Sequence, residues 1–274
     1  LLSKNDLLIS SDKSSFFFSL RQFMIVYKYW KVIFMKVAIM QPYFFPYIGY
    51  FQLLNYVDLW IVFDNIQYID KGWINRNRIL HPELKKEWQY ITIPLDSRKQ
   101  FSKINDIKIK QEIDWRKIIL GKLTLYKKKS RFYNEVFSLI NNIFNTNENN
   151  LSEFVTRSIR YTADYLGIKT KILVFSNMEL PLTNINHPGD WALRICESIG
   201  AKEYINPIGG KDLFYNKKFV DSNIKLSFLD SKMVVYNQKR PEFIPGLSIV
   251  DLMMWNSKSQ LSRFLNEDFD LISP

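Results

Sequence analysis

Two short apolar runs near the beginning of the chain, separated by a segment of helical length, constrain the possible folds most. The first run is Lys36–Met40, the second spans residues 59–63 and ends before Asp64, and Ile48–Tyr56 between them has the length of a helix. Parallel strands need such a crossover connection, whereas antiparallel strands can be joined by a tight turn. The pattern therefore predicts a right-handed βαβ unit in a sheet that is covered on both faces.

The same alternation returns in the second half of the chain. Apolar runs and helical segments alternate there, with the runs at residues 171–175, 203–205 and 224–228 and the helices at residues 191–199 and 212–221. Five strands with intervening helices are typical of an open parallel sheet. We therefore predict an α/β fold with an open parallel, Rossmann-like sheet.

Two insertions interrupt this alternation. Strand-like runs at residues 74–80 and 88–93 flank a turn that contains Pro82, which predicts a β-hairpin appended to the sheet. From about residue 112 to residue 166 the apolar pattern has helical period, which predicts a helical insertion. Near the end of the chain, Ser248 and Asp251 have the spacing of a capping box that begins a helix. We expect one α/β domain over residues 35–274.

Residues 1–34 do not fit this alternation, and we expect them to lie outside the folded domain. The chain begins with Leu1, whereas Met35 opens the first strand, so the simplest interpretation is upstream sequence translated by mistake. Basic residues interrupt the apolar part of this segment, which argues against a transmembrane helix. The alternative is an amphipathic extension that lies on a membrane surface through Phe16 and Trp30.

The few cysteines and histidines exclude several classes of protein. Cys196 is the only cysteine and cannot form an intramolecular disulfide, so we expect a reducing compartment, the cytoplasm. Together with His81 and His187 it matches no zinc-binding spacing, so no metal site is predicted from these side chains. Magnesium bound together with a nucleotide leaves almost no sequence signature, and it stays open as a cofactor.

The net charge of +11 favours anionic partners. Lysine, asparagine and isoleucine are abundant throughout the chain, however, as an AT-rich coding sequence would produce without selection for binding. The chain has no arginine-rich tail and no aromatic RNA-binding motif, so neither nucleic acid nor a membrane is the expected partner. A phosphorylated small molecule is expected instead, and the sequence does not indicate an oligomeric state.

The loop between the first strand and the first helix is the strongest candidate site. It lies at the carboxyl end of a strand, where open α/β sheets bind ligands. Gln41 is a polar amide directly after a buried strand, and Tyr47, Gly49 and Tyr50 follow it. We assign Gln41 a catalytic role as a donor to a developing oxyanion, and the other three residues a role in substrate binding. The alternative is that prolines shape the turn and both tyrosines pack in the core.

A second candidate site is the polar region that begins at Asp64, at the end of the second strand. Arg76 in this region could contact a phosphate or carboxylate through two hydrogen bonds. Asp64 could act as a general base, a magnesium ligand or a hydroxyl acceptor. The alternative is a solvated hairpin in which Asp64 caps a turn. The remaining substrate-binding residues predicted here are Gln67, Lys71, Asn75 and Asn77.

A third candidate site is the segment Gly209, Gly210 and Lys211, which follows a strand and precedes a predicted helix. Free backbone amides and an ammonium group in this arrangement could contact an anion. Paired glycines before a helix can also form a simple turn. His187 lies in another turn, where it could be an acid or base or an exposed residue without a role. The tryptophans at helical spacing are interpreted as core residues, namely Trp115, Trp191 and Trp255.

The beginning of this pattern resembles one known family. The run MKVAIMQPYFFPYIGYFQLL, which starts at Met35, is similar to the opening of the WbqC-like family. The similarity extends to about residue 256 and includes Asn75-Arg76-Asn77, Ile93-Pro94, residues 204–211 and Leu247-Ser-Ile-Val-Asp251. One departure is Arg116-Lys117 after Trp115, where some members of the family have Lys-His.

This resemblance implies a step in the synthesis of O-antigen or other surface polysaccharides. The reaction it points to is transfer of an acyl or aminoacyl group to the amine of a nucleotide-linked amino sugar, for which Asp64 would be the base. A non-catalytic module that binds a nucleotide or a glycan is one alternative. An ATP-dependent amide ligase of nucleotidylyltransferase descent is another, because residues 47–50 lie where such folds carry a His-x-Gly-His motif. Tyrosines replace both histidines, and a tyrosine does not become a cation near neutral pH.

Overall fold

The computed structural model describes residues 34–274, so the predictions for residues 1–33 concern a part of the chain outside the described residues. Eight strands are present in the described part: β1 (Lys36–Met40), β2 (Leu59–Val62), β3 (Arg76–Leu80), β4 (Trp88–Thr92), β5 (Lys171–Val174), β6 (Glu203–Pro207), β7 (Lys225–Ser231) and β8 (Phe269–Ile272). Six of them form one sheet with the order β5-β2-β1-β6-β7-β8. The strands β3 and β4 pair separately as an antiparallel hairpin.

The main sheet confirms the predicted α/β class and its open, mostly parallel arrangement. Strands β5, β2, β1, β6 and β7 pair in parallel, and all five were expected from the apolar runs. β8 pairs antiparallel with β7 and forms one edge of the sheet. This strand was not predicted, because four residues in which Asp270 interrupts the apolar pattern do not differ from an irregular chain end.

Alternate residues of the strands enter two separate cores, as expected for a sheet covered on both faces. In β1, Ala38 packs with one core, whereas Val37 and Ile39 pack with the other. The helices in the described residues are α1 (Ile48–Tyr56), α2 (Trp115–Leu123), α3 (Tyr133–Phe144), α4 (Leu151–Leu166), α5 (Asp190–Ile199), α6 (Asn216–Asp221), α7 (Ile249–Trp255) and α8 (Lys258–Glu267). Helices α5 and α6 cover the face of Val37, and the others contribute to the core that contains Ala38.

The helical insertion consists of α2, α3 and α4, whose apolar sides share the larger core with α1. Asp114 caps α2 by accepting a hydrogen bond from the Lys117 amide, and Asn150 caps α4 in the same way through the Glu153 amide. Helix α4 ends at Gly167, whose φ of 80° is the left-handed conformation that glycine adopts without strain. These signals explain why the insertion could be placed from sequence.

The order in which strands are added to the sheet reverses between β1 and β6. From β1 the chain crosses to β2 on one side, whereas β6 lies on the other side, so the two strands are neighbours at a topological switch point. Their pairing is short, with only Lys36 opposite Glu203 and Val37 opposite Tyr204. The strands therefore separate towards their carboxyl ends, and a cleft opens where such folds bind ligands.

Two local predictions differ from the structure. The segment 212–221, predicted as one helix, forms a 3₁₀ helix over Ile208–Leu213 and the short helix α6. Ser248 does cap α7 by accepting a hydrogen bond from the Val250 amide, but the Asp251 side chain takes no part in a capping box. Asp251 lies in the core and accepts hydrogen bonds from two tyrosines, because the first turn of α7 faces inward.

Candidate functional site

A cavity of about 380 Å³ opens at the carboxyl ends of β1 and β6. One wall is the loop that follows β1, and the other wall combines the beginning of α5 with the loop that follows β6. We call it the switch-point pocket and define it by Gln41, Tyr43, Tyr47, Trp191, Asn206 and Gly210. The pocket thus brings together the first and third sites that the sequence predicted.

The lining of the switch-point pocket is aromatic and carries no charged side chain among the residues described. Tyr43, Phe63, Trp191, Tyr204 and Phe214 contribute aromatic rings, and Gln41 and Asn206 contribute neutral amides. Aromatic faces stack on planar ligands, and amides read the donors and acceptors at a ligand's edge. The chemistry of this pocket therefore suits an uncharged planar group.

Gln41 is half-buried at the end of β1. Its backbone carbonyl accepts a hydrogen bond from the Tyr50 hydroxyl at 3.0 Å. Within residues 34–274, the side-chain amide of Gln41 makes no hydrogen bond to another residue. This amide therefore keeps its donors and acceptor available for a ligand.

The two tyrosines of the predicted substrate loop have different environments. Tyr47 is 41% exposed at the pocket wall, whereas Tyr50 is 1% exposed and belongs to the core. Burial and the neighbouring Tyr43 raise the pKa of Tyr50 well above its usual value. Gly49 does not line the pocket; a Cβ atom at this residue would lie 2.4 Å from the Tyr47 ring and 2.8 Å from the Ser231 Cβ. Gly49 therefore allows the close approach that positions Tyr47.

The loop after β6 is held by Asn206. Its side-chain oxygen accepts a hydrogen bond from the Tyr204 hydroxyl at 2.9 Å, and its amide donates to the Pro207 carbonyl at 2.9 Å. A Cβ atom at Gly210 would lie 2.3 Å from the Asn206 amide nitrogen, so a larger residue would displace that amide. Gly209 also lines the pocket, whereas Lys211 is exposed next to it and outside the lining.

Asp64 is buried outside the switch-point pocket. Its carboxylate accepts hydrogen bonds from the Ser152 hydroxyl at 3.1 Å, the Ser176 amide at 3.0 Å and the Ser176 hydroxyl at 2.7 Å. These donors connect the end of β2 to α4 and to the turn after β5. The geometry therefore supports a structural role, and it gives no support to the predicted role of Asp64 as a base.

Asn77, another residue predicted to bind substrate, is also structural. Its buried amide donates to the carbonyls of Phe44 and Phe45 at 3.1 and 2.9 Å. Phe45 has a φ of 42°, a left-handed conformation that is rare for a residue with a side chain. Asn77 thus fixes the strained turn of the loop that forms one pocket wall.

The rest of the second predicted site lies in a separate cavity of about 320 Å³ beside the β3–β4 hairpin. We call it the hairpin groove and define it by Tyr68, Asp70, Lys71, Asn75, Arg76 and Arg98. Gln67 lines an adjoining cavity that shares Tyr68, Asp70 and Arg98 with this groove. The polar residues between 64 and 77 therefore have separate roles in the structure. Asp64 connects buried elements, Asn77 holds the pocket loop, and Lys71, Asn75 and Arg76 line the hairpin groove.

His187 lies in the turn before α5, where its Nδ1 accepts a hydrogen bond from the Gly189 amide at 3.2 Å. Asp190 stabilises this turn by accepting hydrogen bonds from the amides of Asn186 and His187. A hydrogen bond from Lys218 to Asp190 at 2.6 Å lowers the pKa of that carboxyl. The turn is therefore well fixed, and it holds the pocket wall that contains Trp191.

Asp251 forms a separate buried cluster. The hydroxyls of Tyr126 and Tyr236 donate to its two carboxylate oxygens, each at 2.5 Å. Burial raises the pKa of Asp251 to about 6, although the two tyrosine hydrogen bonds oppose the shift. This cluster is part of the core between α7 and the insertion and does not line the switch-point pocket.

In the part of the chain that the structure describes, no group of three or more histidine, cysteine, aspartate or glutamate residues is arranged to hold a metal ion. No helix between residues 34 and 274 has both the length and the apolar character needed to cross a membrane.

The sequence analysis missed several residues of the pocket. Trp191 was interpreted as a core residue, yet it is half-buried and lines the wall opposite Gln41. Asn206, directly after the predicted strand at residues 203–205, and Tyr43, in the loop after the first strand, were given no role. A usable signal did exist for Asn206, because it is a polar residue at the carboxyl end of a buried parallel strand, as Gln41 is.

Comparisons with known proteins complete this description. The model of the WbqC-like protein family matches residues 41–263. An uncharacterized protein of Mycobacterium tuberculosis, Rv1507c, is 28% identical over 221 residues, which cover 80% of this chain and 92% of the relative. No solved structure matches the chain.

Proposed function

This chain belongs to the WbqC-like protein family, and we propose that it binds a nucleotide-linked sugar with the base in the switch-point pocket. The observation that carries the proposal is the lining of that pocket by aromatic rings and two neutral amides. A nucleobase is planar and uncharged and has hydrogen-bonding groups at its edge, so it matches this lining. Pockets at a switch point of a parallel sheet are the usual ligand sites of such folds.

The position of the remaining groups supports an orientation for the ligand. Trp191 stacks on the base, and Gln41 and Asn206 read its edge. The sugar and its phosphates extend towards the pocket mouth, where Gly209 lines the wall and the exposed Lys211 follows Gly210. In this orientation the charged part of the ligand avoids the uncharged lining and stays near solvent.

The finer part of the proposal concerns the reaction. We place the protein in the cytoplasm, in the synthesis of O-antigen or a similar surface polysaccharide, where it transfers an acyl or aminoacyl group to the amine of the bound amino sugar. In this reaction the amine nitrogen forms a bond to the acyl carbon, the leaving group departs with its electron pair, and a base takes the amine proton. The family membership supports the context, and Gln41 is the candidate donor to the oxyanion.

One observation favours a second candidate function, a binding module without catalysis. The described pocket lining contains no carboxylate, histidine or lysine, and its only titratable side chains are tyrosines. Burial raises the pKa of Tyr43 and Tyr50, so neither accepts a proton from an amine near neutral pH. Asp64 is the predicted base, but its carboxylate is occupied by serine donors.

The binding proposal is tested by thermal unfolding in the presence of dTDP-sugars, UDP-sugars, ATP, coenzyme A and oligonucleotides. A ligand that binds only the folded state raises the unfolding temperature. We expect a rise with one class of nucleotide sugar and about ten-fold weaker binding in Trp191→Leu, because base stacking is lost. Tyr161→Leu, an exposed aromatic residue on α4, is the matched control and should bind as the unchanged protein does.

The other outcomes separate the alternatives. A rise with ATP alone, together with release of pyrophosphate, would indicate the ligase, and a rise only with oligonucleotides would contradict the nucleotide-sugar proposal. Catalysis is then tested by incubating the bound nucleotide amino sugar with acyl donors and measuring N-acylation by mass spectrometry. Binding without any product would favour the module.

A further inference from the structure

The hairpin groove has an excess of positive charge. Lys71, Arg76 and Arg98 contribute three cations to its lining, and Asp70 contributes one carboxylate. Asp70 is exposed and forms an ion pair with Arg98. The groove therefore differs in character from the uncharged switch-point pocket, and it suits a ligand with more than one negative charge.

Arg76 is held in place before any ligand arrives. Its Nε donates to the Gly72 carbonyl at 3.2 Å, its Nη2 donates to the Lys71 carbonyl, and its guanidinium lies 4.4 Å from the centre of the Tyr90 ring. Within the described residues, Nη1 makes no hydrogen bond. The end of the guanidinium is thus free to bind oxygen atoms, and little side-chain entropy is lost when it does.

Arg98 packs on the ring of Tyr68, in the lining of the same groove. Its guanidinium is 4.7 Å from the centre of the Tyr68 ring. Burial raises the pKa of Tyr68, and the charges of Arg98 and Arg76 both oppose that rise. The charges of both arginines therefore affect the same tyrosine, and both arginines line the same groove.

Lys71 is fixed by its backbone. It has a φ of 61°, in the left-handed region where a residue other than glycine is uncommon. Its carbonyl accepts the hydrogen bond from Arg76, so the turn that positions Lys71 also orients the arginine. Lys71 and Arg76 consequently come from one connected turn, and Arg98 comes from the segment that faces it.

We propose that the hairpin groove is a second binding site, which takes the diphosphate or triphosphate group of a phosphorylated ligand. The charge of such a group matches three cations that surround one cavity. The groove is close to the switch-point pocket, because Ile66 lines the pocket and Tyr68, two residues later, lines the groove. The proposal is independent of what the switch-point pocket binds.

The test is isothermal titration of the full chain with sodium pyrophosphate at low ionic strength. We expect saturable binding of one pyrophosphate per chain, weakened about ten-fold in Arg76→Gln and in Arg98→Gln, since each loses a charge-assisted hydrogen bond. Lys71→Gly should also weaken binding while keeping or raising the unfolding temperature, because glycine accepts the backbone conformation of residue 71. This third variant keeps the test valid if an arginine variant folds poorly.

Arg131→Gln is the matched control, because Arg131 is exposed and does not line the groove. It removes the same charge and should bind pyrophosphate as the unchanged protein does. Equal weakening in Arg131→Gln and the groove variants would show that net charge alone attracts the anion and would overturn the proposal. Absence of saturable binding would overturn it as well. Trp191→Leu should not alter pyrophosphate binding, so the result is separate from that of the switch-point pocket.

Discussion

The switch-point pocket and the hairpin groove are neighbours, yet they are built in opposite ways. The pocket is lined by aromatic rings and amides at the ends of two parallel strands, whereas the groove is lined by charged side chains from turns around a hairpin. Strand register fixes the positions of Gln41 and Asn206, and arginine stacking on tyrosine fixes the groove. The difference shows that two neighbouring cavities of one fold can have an uncharged aromatic lining and a positively charged lining.

Asn77 connects the two regions, because it lies in strand β3 of the hairpin and its amide holds the pocket loop. Asp64, next to Phe63 of the pocket lining, ties the end of β2 to α4. Substitutions of these residues should therefore differ in effect from substitutions within either region. Changes to the connecting residues should alter stability, whereas changes within one region should alter only that region's ligand.

The largest expected effect is that of Asp64→Ala. The substitution leaves the buried Ser152 hydroxyl without its acceptor and removes two part-buried hydrogen bonds from Ser176, so we expect the free energy of unfolding to fall by about 4 kcal/mol. Urea unfolding measures this loss, and Ser97→Ala, at an exposed residue of the cavity that adjoins the groove, serves as a neutral control. If Asp64→Asn kept stability and ligand binding but lost N-acylation, Asp64 would be catalytic and the structural assignment would be wrong.

The buried Asp251 offers a test outside both regions. Its folded pKa of about 6 lies above the ordinary value of 3.8 for aspartate, so the folded state keeps this proton at a pH where the unfolded chain has lost it. The resulting stabilisation is fully present below pH 3.8 and is lost as the pH rises through about 6. Its size is up to about 3 kcal/mol.

Urea unfolding of the unchanged protein and of Asp251→Asn between pH 4 and 7 measures this contribution as a difference. The stability of the unchanged protein relative to the variant should decrease over that range. A pH-independent difference would contradict the raised pKa, and a change in either ligand's affinity would show that the core cluster is coupled to the sites.

Asn77→Ala should cost about 2 kcal/mol of unfolding free energy, because the Phe44 carbonyl loses its side-chain donor and the Phe45 carbonyl keeps only the Ser248 hydroxyl. The strained loop then becomes less well defined, so affinity in the switch-point pocket should fall with it. Asn75→Ala is the comparison variant, since Asn75 bonds with Tyr68 and Ile93 on the groove side. Thermal unfolding and titration with the nucleotide ligand measure both effects. If Asn75→Ala lowers nucleotide affinity as much as Asn77→Ala does, the two regions are not separable.

Within the pocket, Gly210→Ala should weaken nucleotide binding about ten-fold, because the new Cβ displaces the Asn206 amide. Gly121→Ala, in helix α2 and outside the pocket lining, is the control, since a Cβ there meets no atom within 4 Å. Pyrophosphate binding should be the same in both variants. If Gly210→Ala and the control bind the nucleotide with equal affinity, Asn206 is not one of the ligand contacts.

The smallest expected effect is that of salt. Raising the ionic strength from 0.05 to 0.2 M should weaken pyrophosphate binding by about three-fold, since exposed charges are screened. Binding of an uncharged nucleoside in the switch-point pocket should not change. A similar salt dependence of both ligands, measured by titration, would mean that the regions do not differ electrostatically as proposed.

Much of the fold could be predicted because strands in a parallel sheet are short apolar runs. β1, β2, β5, β6 and β7 were placed to within a few residues on that basis. β8 could not be, because Phe269–Ile272 is only four residues long, Asp270 interrupts its apolar pattern, and its pairing with β7 depends on contacts far apart in the sequence. Likewise, nothing local distinguishes a 3₁₀ helix at Ile208–Leu213 from the first turn of a longer helix.

The candidate site was predicted in part. Gln41 and Gly210 were found because each follows a parallel strand, and the sheet order then places them in one cavity. Trp191 could not be found, because its helical spacing does not show which side of α5 faces the cleft. Asp64 was assigned a catalytic role and Asn77 a role in substrate binding, because sequence does not show whether a polar group already has a buried partner.

The short pairing of β1 with β6 has a mechanical consequence. It divides the main sheet into two halves of three strands, β5-β2-β1 and β6-β7-β8, that meet at a seam with two residue pairs. The switch-point pocket is lined by residues that follow β1 and residues that follow β6, so a ligand bound there would contact both halves. We therefore expect such a ligand to increase the force needed to pull the two halves of the sheet apart.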